Sequence, residues 1–250
     1  MKKIFLGILI SLTVLALSGV AVAISNQGAE KSKAPDLEKI EFIHWDKKYA
    51  KSEVAAARTP TCYAFLGKIG KTYLKWTTLS VSYVINPRNP QGLAGSFVTS
   101  AVSTSAETWD DATSKDLMGS YTVDTAIAYG VQDYKNAIDF GNYPTAGVIA
   151  VTTVWYNPAT KAIVEFDVRF DTDWTWGDAD SNNDGLVDNP NVMDLQNIAI
   201  HELGHGVGLG DVYNSACSLV TMYGYSNYGE IIKRTLDAAD ITGLRTLYDL

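Results

Sequence analysis

The alternation of apolar and polar residues along the chain predicts four β-strands. Residues 79–85 alternate well enough to form a half-buried strand, which ends at Asn86-Pro87. Residues 121–129 are the second candidate strand. Two further β-rich runs, 147–155 and 163–170, are joined by a short, turn-forming connection. We therefore expect these two runs to pair antiparallel.

Three segments instead show the period of a helix. They cover about 95–113, 190–203 and 237–248. Asn191 is the predicted N-cap of the second helix and Asp237 that of the third. The stripes expected to face the core are Val98, Ala101, Val102, Ser105 and Trp109 in the first helix, Leu195, Ile198, Ala199 and Leu203 in the second, and Ile241, Leu244 and Leu247 in the third.

The N-terminus has the composition of a targeting segment. Lys2 and Lys3 precede a long apolar run, and residues 21–23 supply the small-x-small pattern of a cleavage site. We therefore expect residues 1–23 to be a signal peptide and the rest of the chain to be secreted. The alternative is an uncleaved membrane anchor, because the apolar run is nearly long enough to span a bilayer.

Residues 24–60 are rich in Lys, Glu, Ala and Ser, with scattered apolar residues. They are either a flexible linker or a short propeptide that covers a site until it is removed. Only the apolar and aromatic island 40–45 is expected to pack on the rest of the chain, and its His44 is expected to lie at the surface. Order is predicted to begin near Cys62, which makes residues 61–250 the folded domain.

Composition and charge narrow the class of protein and its partners. With 250 residues, 46% of them hydrophobic and 19% charged, the chain can bury a sizeable core. A net charge of -8 argues against nucleic acid and anionic membrane surfaces as partners. Cys62 and Cys217 are the two cysteines, and in an oxidising compartment a disulfide between them is the default expectation.

The run 201–211 carries the strongest chemical signal and contains two of the three histidines. On a helix, His201 and His205 lie on one face and can bind one cation, with Glu202 within reach of a water on that cation. A catalytic zinc usually takes three protein ligands. Gly208 can adopt a left-handed conformation that ends the helix, so Asp211 is the predicted third ligand. No other histidine lies in the region expected to be ordered.

These residues resemble the metzincin metalloproteases, whose motif is His-Glu-x-x-His-x-x-Gly-x-x-His/Asp, and matrixin-like members most closely. Residues 218–223 resemble their methionine turn, with Met222 as the hydrophobic floor under the ligands, and 237–248 resembles the helix that ends their catalytic domains. The resemblance covers 62–250. It implies an α+β fold with a twisted mixed sheet, an active-site helix, a C-terminal helix, and an antiparallel edge strand at 147–155 to which a peptide adds.

Two departures from the matrixin pattern matter. Asp211 stands where most matrixins have a histidine, as in the snapalysin-like branch, and its negative charge should raise the pKa of the water that the metal activates. The Pro-Arg-Cys-Gly latency motif is missing from the sequence. Cys62 could in principle cap the zinc instead of forming the disulfide with Cys217.

An acidic loop precedes the second helix and matches part of a calcium-binding loop. Position 12 of an EF-hand loop would be Asn191 rather than a bidentate Glu, so the match is partial. A solvated turn is the alternative to a structural calcium site. The candidate calcium ligands are Asp180, Asn182, Asp184, the carbonyl of Leu186, and Asp188, with Gly185 at the turn.

The resemblance thus implies a secreted zinc-dependent endopeptidase, expected to be a monomer that acts on peptide or protein substrates. Zinc on His201, His205 and Asp211 would activate a water, and Glu202 would act as general base. No nucleic acid is expected as a partner, and no membrane once the signal peptide is removed. The alternative is a non-catalytic secreted binding or adhesion module in which metals only stabilise the fold.

Overall fold

A mixed β-sheet organises the residues that the computed structural model describes, which are 36–50 and 60–249. The strands are β1 (Glu38–Asp46), β2 (Ala64–Phe65), β3 (Lys68–Ile69), β4 (Thr72–Tyr73), β5 (Val81–Ile85), β6 (Met118–Val123), β7 (Ala137–Gly141), β8 (Val148–Asn157), β9 (Ala162–Asp171), β10 (Trp176–Gly177), β11 (Met193–Asp194), β12 (Leu209–Gly210) and β13 (Tyr225–Ser226). The helices are α1 (Gly95–Asp110), α2 (Leu195–Gly206) and α3 (Ala238–Tyr248).

The main sheet has the order β13-β1-β8-β9-β7-β5-β6. Strands β9, β7, β5 and β6 run parallel, and β8 pairs antiparallel with β9, as predicted. The predicted α+β fold, with a mixed sheet, an active-site helix and a C-terminal helix, is confirmed. Strand β8 is the outermost of the five strands β8-β9-β7-β5-β6, and within the described residues β1 pairs with its outer side. The predicted antiparallel edge strand at 147–155 is thus the outer strand of these five, and Glu38–Asp46 pairs with the side to which a peptide was expected to add.

The strand predicted at 121–129 is only partly correct. Strand β6 begins at Met118 and ends at Val123. Beyond it, the Asp124 carboxylate accepts a hydrogen bond from the backbone N–H of Ala126 at 2.8 Å. The Asp124 carboxylate thus takes the place of a strand partner as the acceptor for this backbone N–H, which is a common role of aspartate in turns.

The helices confirm the predicted stripes but correct one cap. All five stripe residues of α1 are buried, and Asp237 caps α3 in a capping box with Asp240. Helix α2 begins later than predicted, since the side chain of Asp194, and not that of Asn191, accepts from the N–H of Asn197 at 2.8 Å. The reason is that β11, immediately before Leu195, is held extended by pairing with β10.

Helix α2 lies inside the molecule. Every one of its residues except Gln196 is buried. The indole Nε1 of Trp109 on α1 donates to the carbonyl of Ile200 at 2.8 Å and ties the two helices together. Side chains on α2 are therefore held rigidly, which suits a helix that carries reactive groups.

The island 40–45 does pack on the fold, as the central part of β1. This strand pairs antiparallel with β8 from Glu38↔Tyr156 to Trp45↔Val148. Its other side pairs parallel with β13, which follows the predicted methionine turn. The prediction that His44 lies at the surface is wrong, because its side chain is 0% exposed.

Cys62 and Cys217 form the predicted disulfide, with 5.3 Å between their Cα atoms. Cys62 is therefore not available as a zinc cap. Within the described residues no helix has the length and apolar character needed to cross a bilayer. The predicted signal peptide, residues 1–23, lies outside the described residues.

Candidate metal centre and active site

Two histidine side chains meet on one face of α2. His201 and His205 are both 0% exposed, and their Nε2 atoms lie 3.2 Å apart. The Nδ1 of His201 lies 2.8 Å from the carbonyl oxygen of Thr221, and the Nδ1 of His205 lies 2.9 Å from that of Leu209. A carbonyl only accepts, so each ring donates through Nδ1–H and keeps the Nε2 lone pair for a ligand. This arrangement is typical of metal-binding histidines.

Asp211 reaches the same point because the chain turns at Gly208, as predicted. Gly208 has φ +110°, and a Cβ atom there would lie 2.9 Å from Leu247 Cδ1. The Asp211 Oδ1 atom lies 3.2 Å from Nε2 of His201 and 3.5 Å from Nε2 of His205. Its other oxygen accepts from the Tyr213 hydroxyl at 2.9 Å. The three side chains that the sequence singled out therefore converge.

The convergent atoms fit a zinc ion. Three ligands of a tetrahedral ion with bonds of about 2.0–2.1 Å are separated by about 3.3 Å, close to the distances between Nε2 of His201, Nε2 of His205 and Oδ1 of Asp211. Asp211 Oδ1 is buried and accepts no well-formed hydrogen bond from a described residue. Burial lowers the pKa of His201 to about 4, so its ring is neutral at pH 7 and can donate a lone pair. A buried carboxylate oxygen that has no hydrogen-bond donor and faces the Nε2 atoms of two imidazoles calls for a cation.

Glu202 lies beside this group and does not belong to it. Its Oε2 accepts from the hydroxyl of Thr152 on β8 at 2.6 Å, and its Oε1 lies 3.0 Å from Nδ1 of His44 on β1. The side chain is completely buried, and burial raises the pKa of Glu202 to about 7. A carboxylate with a pKa near the working pH can both take and return a proton.

Met222 packs against α2 at Gly204. A Cβ atom on Gly204 would lie 2.2 Å from Met222 Sδ and 2.8 Å from Trp109 Cζ2, so only glycine permits this close approach. The turn is fastened by Asp240 of α3, which accepts from the N–H groups of Thr221 at 2.8 Å and Met222 at 3.2 Å. The same turn therefore positions the Thr221 carbonyl that orients His201.

The acidic loop, residues 180–188, does not bring its candidate ligands together as the metal centre does. Apart from Asp180, which is 3% exposed, the candidate calcium residues lie at the surface. Asp180 accepts from the N–H groups of Asp184 and Gly185 at 3.1 and 3.0 Å, and Asp188 accepts from the Ser181 hydroxyl at 2.9 Å. Among the described residues, the groups of three or more acidic, His or Cys side chains with ligand atoms within 4.8 Å are His44–His201–Glu202 and His201–His205–Asp211, and the loop is not among them.

Four residues near the site were missed by sequence reasoning: His44, Thr152, Tyr213 and Asp240. The alternation of Ile40, Phe42 and His44 with their neighbours is a strand pattern that could have placed His44 on a buried face. The other three carry no signal in the sequence, since each acts through a contact that the fold creates.

The comparison with known families agrees with this geometry. A family model described as matrixin matches residues 75–249. The match includes α1, strands β5 to β9, α2, Asp211, Met222 and all of α3. Strand β1 and Cys62 lie outside it.

Proposed function

Because the chain belongs to the matrixin family of zinc-dependent endopeptidases, we propose that His201, His205 and Asp211 hold its zinc ion and that Glu202 is its general base. One observation carries the proposal: the three ligand atoms lie 3.2, 3.2 and 3.5 Å from one another, and each imidazole is oriented by a backbone carbonyl. The family implies peptide or protein substrates. Secretion after removal of residues 1–23, and a monomeric state, are part of the same proposal.

The contacts of the side chains in this site indicate the role of each in the reaction. Zinc bound by His201, His205 and Asp211 would supply Lewis-acid polarisation of the scissile carbonyl and would acidify the attacking water. Glu202 takes the proton of that water and returns it to the leaving amine. The Thr152 hydroxyl, 2.6 Å from Oε2, fixes the orientation of the carboxylate. Asp211 contributes a negative charge that a third histidine would not, so we expect a higher pKa of the activated water than in matrixins with three histidines.

Glu202→Gln separates catalysis from metal binding. We expect it to lower hydrolysis of a peptide library by roughly 10²–10⁴-fold, the usual contribution of a general base, while the zinc content per chain stays the same. Glu107→Gln, at an exposed position on α1, is the matched control and should change neither quantity. Undiminished hydrolysis by a clean Glu202→Gln preparation would remove Glu202 from the mechanism. Tightly bound zinc with no chelator-sensitive hydrolysis by the wild-type chain would favour the non-catalytic module.

The acidic loop is proposed as a second, weaker site for calcium. The spacing of Asp180, Asn182, Asp184 and Asp188, with the Leu186 carbonyl between them, supports this assignment. Binding requires these side chains to exchange hydrogen bonds with the backbone of the loop for bonds to the ion, so we expect a modest affinity. The loop precedes β11 and α2 along the chain, and its role would be to stabilise the start of that helix.

A further inference from the structure

Strand β1 lies between the two elements that border the candidate active site. On one side it pairs antiparallel with β8, residue by residue from Glu38 to Trp45. On the other side the Trp45 N–H donates to the carbonyl of Gly224 at 3.1 Å, and the strand runs parallel to β13. An extended peptide that binds by adding a strand to β8 would need the same hydrogen-bonding groups.

Alternate side chains of β1 lie against the catalytic group. The ring of Phe42 stacks on His205 with centroids 4.2 Å apart, and the ring of His44 lies 3.9 Å from that of His201. His44 also contacts Oε1 of Glu202 at 3.0 Å and the hydroxyl of Ser226 at 3.0 Å. Since Oε2 already accepts from Thr152, both oxygens of Glu202 are engaged while β1 is in place.

We infer that Glu38–Asp46 is an intramolecular inhibitory strand that occupies the place of the peptide substrate and keeps the enzyme latent through His44. The inference rests on the proposed function, because it is the Glu202 carboxylate and the edge of β8 that the strand withholds. No cysteine is involved: Cys62 and Cys217 are joined to each other, and the described residues contain no free cysteine.

Strand β1 could be released without removing any residue from the proposed active site. Every residue proposed for zinc binding and catalysis lies within 75–249, the part that matches the family, and β1 supplies none of them. Close to its C-terminal end β1 is held by a surface ion pair, Lys47 to Glu230 at 2.7 Å, with Lys47 40% exposed. A tethered segment acts at an effective concentration in the millimolar range. Cutting the tether removes that advantage, so a bound strand becomes a ligand that dilution releases.

The test uses the chain from Ile24 onward, with the recognition sequence of a specific protease inserted directly after Ala50. Initial rates of zinc-dependent peptide hydrolysis are measured before and after the cut, and uncut samples are checked by mass spectrometry for intact chain. We expect the cut and dilution to raise the rate by about tenfold or more, which corresponds to a loss of about 1.4 kcal/mol or more of strand binding. His44→Ala and Phe42→Ala in the uncut chain should raise the rate in the same direction. Lys39→Ala, at an exposed position of the same strand, is the control and should not.

A synthetic peptide covering residues 36–49 provides a measurement that does not depend on how the variants fold. It should inhibit the cut enzyme competitively, and the same peptide with Phe42 and His44 replaced by Ala should not. Equal rates for uncut, cut and His44→Ala protein, with no inhibition by the peptide, would overturn the inference and leave the proposed function standing. If zinc is bound but no form hydrolyses peptides, the proposed function fails instead. Calorimetric binding of the peptide to the cut protein then still decides whether β1 is a displaceable strand.

Discussion

Two regions of this protein, the run 201–211 and the loop 180–188, both have sequences that predict metal binding, and their side chains make opposite kinds of contacts. In the run, the Nδ1 atoms of both imidazoles donate to backbone carbonyls. The Nε2 atoms and Asp211 Oδ1 therefore face one another. In the loop, Asp180 and Asp188 use their oxygens to accept from the N–H groups and hydroxyl of the loop itself. Ligand spacing alone does not distinguish these cases. The distinction lies in whether other groups orient the ligands and leave their lone pairs unused.

The two regions also differ in how they handle a neighbouring cation. Lys233 is completely buried, and its Nζ donates to the carbonyl of Tyr223 at 2.8 Å, so burial lowers its pKa to about 8. Arg234, the next residue, turns to the acidic side and donates to Asp178 at 2.6 Å and to the Asp180 carbonyl at 3.2 Å. Burial would lower the pKa of Arg234, but the Asp194 and Asp178 carboxylates outweigh it and raise the pKa. The acidic loop therefore already has a protein cation beside it.

The largest expected effect separates the two regions by metal content. His205→Ala should lower zinc affinity by more than about 100-fold, because loss of a residue that only orients a ligand already costs 10–100-fold, and peptide hydrolysis should be lost with it. Asp184→Ala, at an exposed loop position, should leave zinc content and hydrolysis unchanged. Zinc titration with a chromogenic chelator measures both variants. A comparable loss of zinc from the loop variant would abolish the distinction drawn between the regions.

A second prediction concerns pH and Lys233. The folded-state pKa, about 8, lies below the ordinary value of about 10.4, so between these two values the unfolded chain binds more protons and stability rises with pH. This contribution of Lys233 to the free energy of unfolding is fully present above about pH 10.4 and is lost as the pH falls through about 8. Relative to Lys233→Met, the wild-type chain should therefore gain up to about 3 kcal/mol of unfolding free energy between pH 7 and 10.5, at about 1.4 kcal/mol per unit. Denaturant unfolding at several pH values gives the difference, with Lys115→Met as the exposed control. Parallel pH curves for wild type and Lys233→Met would contradict a buried, destabilised ammonium group.

Helix α2 and strand β1 show which parts of the structure could be predicted from the sequence and which could not. The spacing of His201, His205 and the glycine at 208 was enough to place Asp211, because helix geometry and a left-handed turn are local properties. The position of β1 was not predictable, since its pairing with β8 joins residues more than 100 positions apart and depends on which edge the rest of the sheet leaves open. For the same reason, the sequence did not predict that His44 is a buried neighbour of Glu202. The composition of the residues around His44 indicated a linker.

Gly204→Ala tests the packing under the metal centre. The new Cβ atom would lie 2.2 Å from Met222 Sδ, and overpacking of this kind costs about 1–3 kcal/mol. We expect lower stability to denaturant and weaker zinc binding, since α2 must shift away from Met222. Adding Met222→Ala should restore part of the loss, which a double-mutant cycle measures. Purely additive effects of the two changes would show that they do not act through this contact.

The smallest effect is expected at the acidic loop. Calcium at about five times its dissociation constant should stabilise the fold by only about 1 kcal/mol, measured as a shift in Tm against a calcium chelator too weak to remove zinc. Asp184→Asn combined with Asp188→Asn should remove the shift without altering zinc content. The absence of any shift in the wild-type chain would assign the loop to plain turn-forming chemistry held together by its own hydrogen bonds and Arg234.

X-ray absorption at the zinc edge tests the central claim most directly. On the zinc-loaded wild-type chain, with β1 in place, the account predicts two imidazole nitrogens and oxygen ligands at about 2.0–2.2 Å, from His201, His205 and Asp211. In the Asp211→Ala variant one oxygen ligand should be lost or replaced by water, with the two imidazoles unchanged. A third imidazole in the wild-type spectrum would mean that His44 binds the metal, and a shell of oxygens alone would mean that the zinc lies elsewhere. Either result would contradict the assignment of this site.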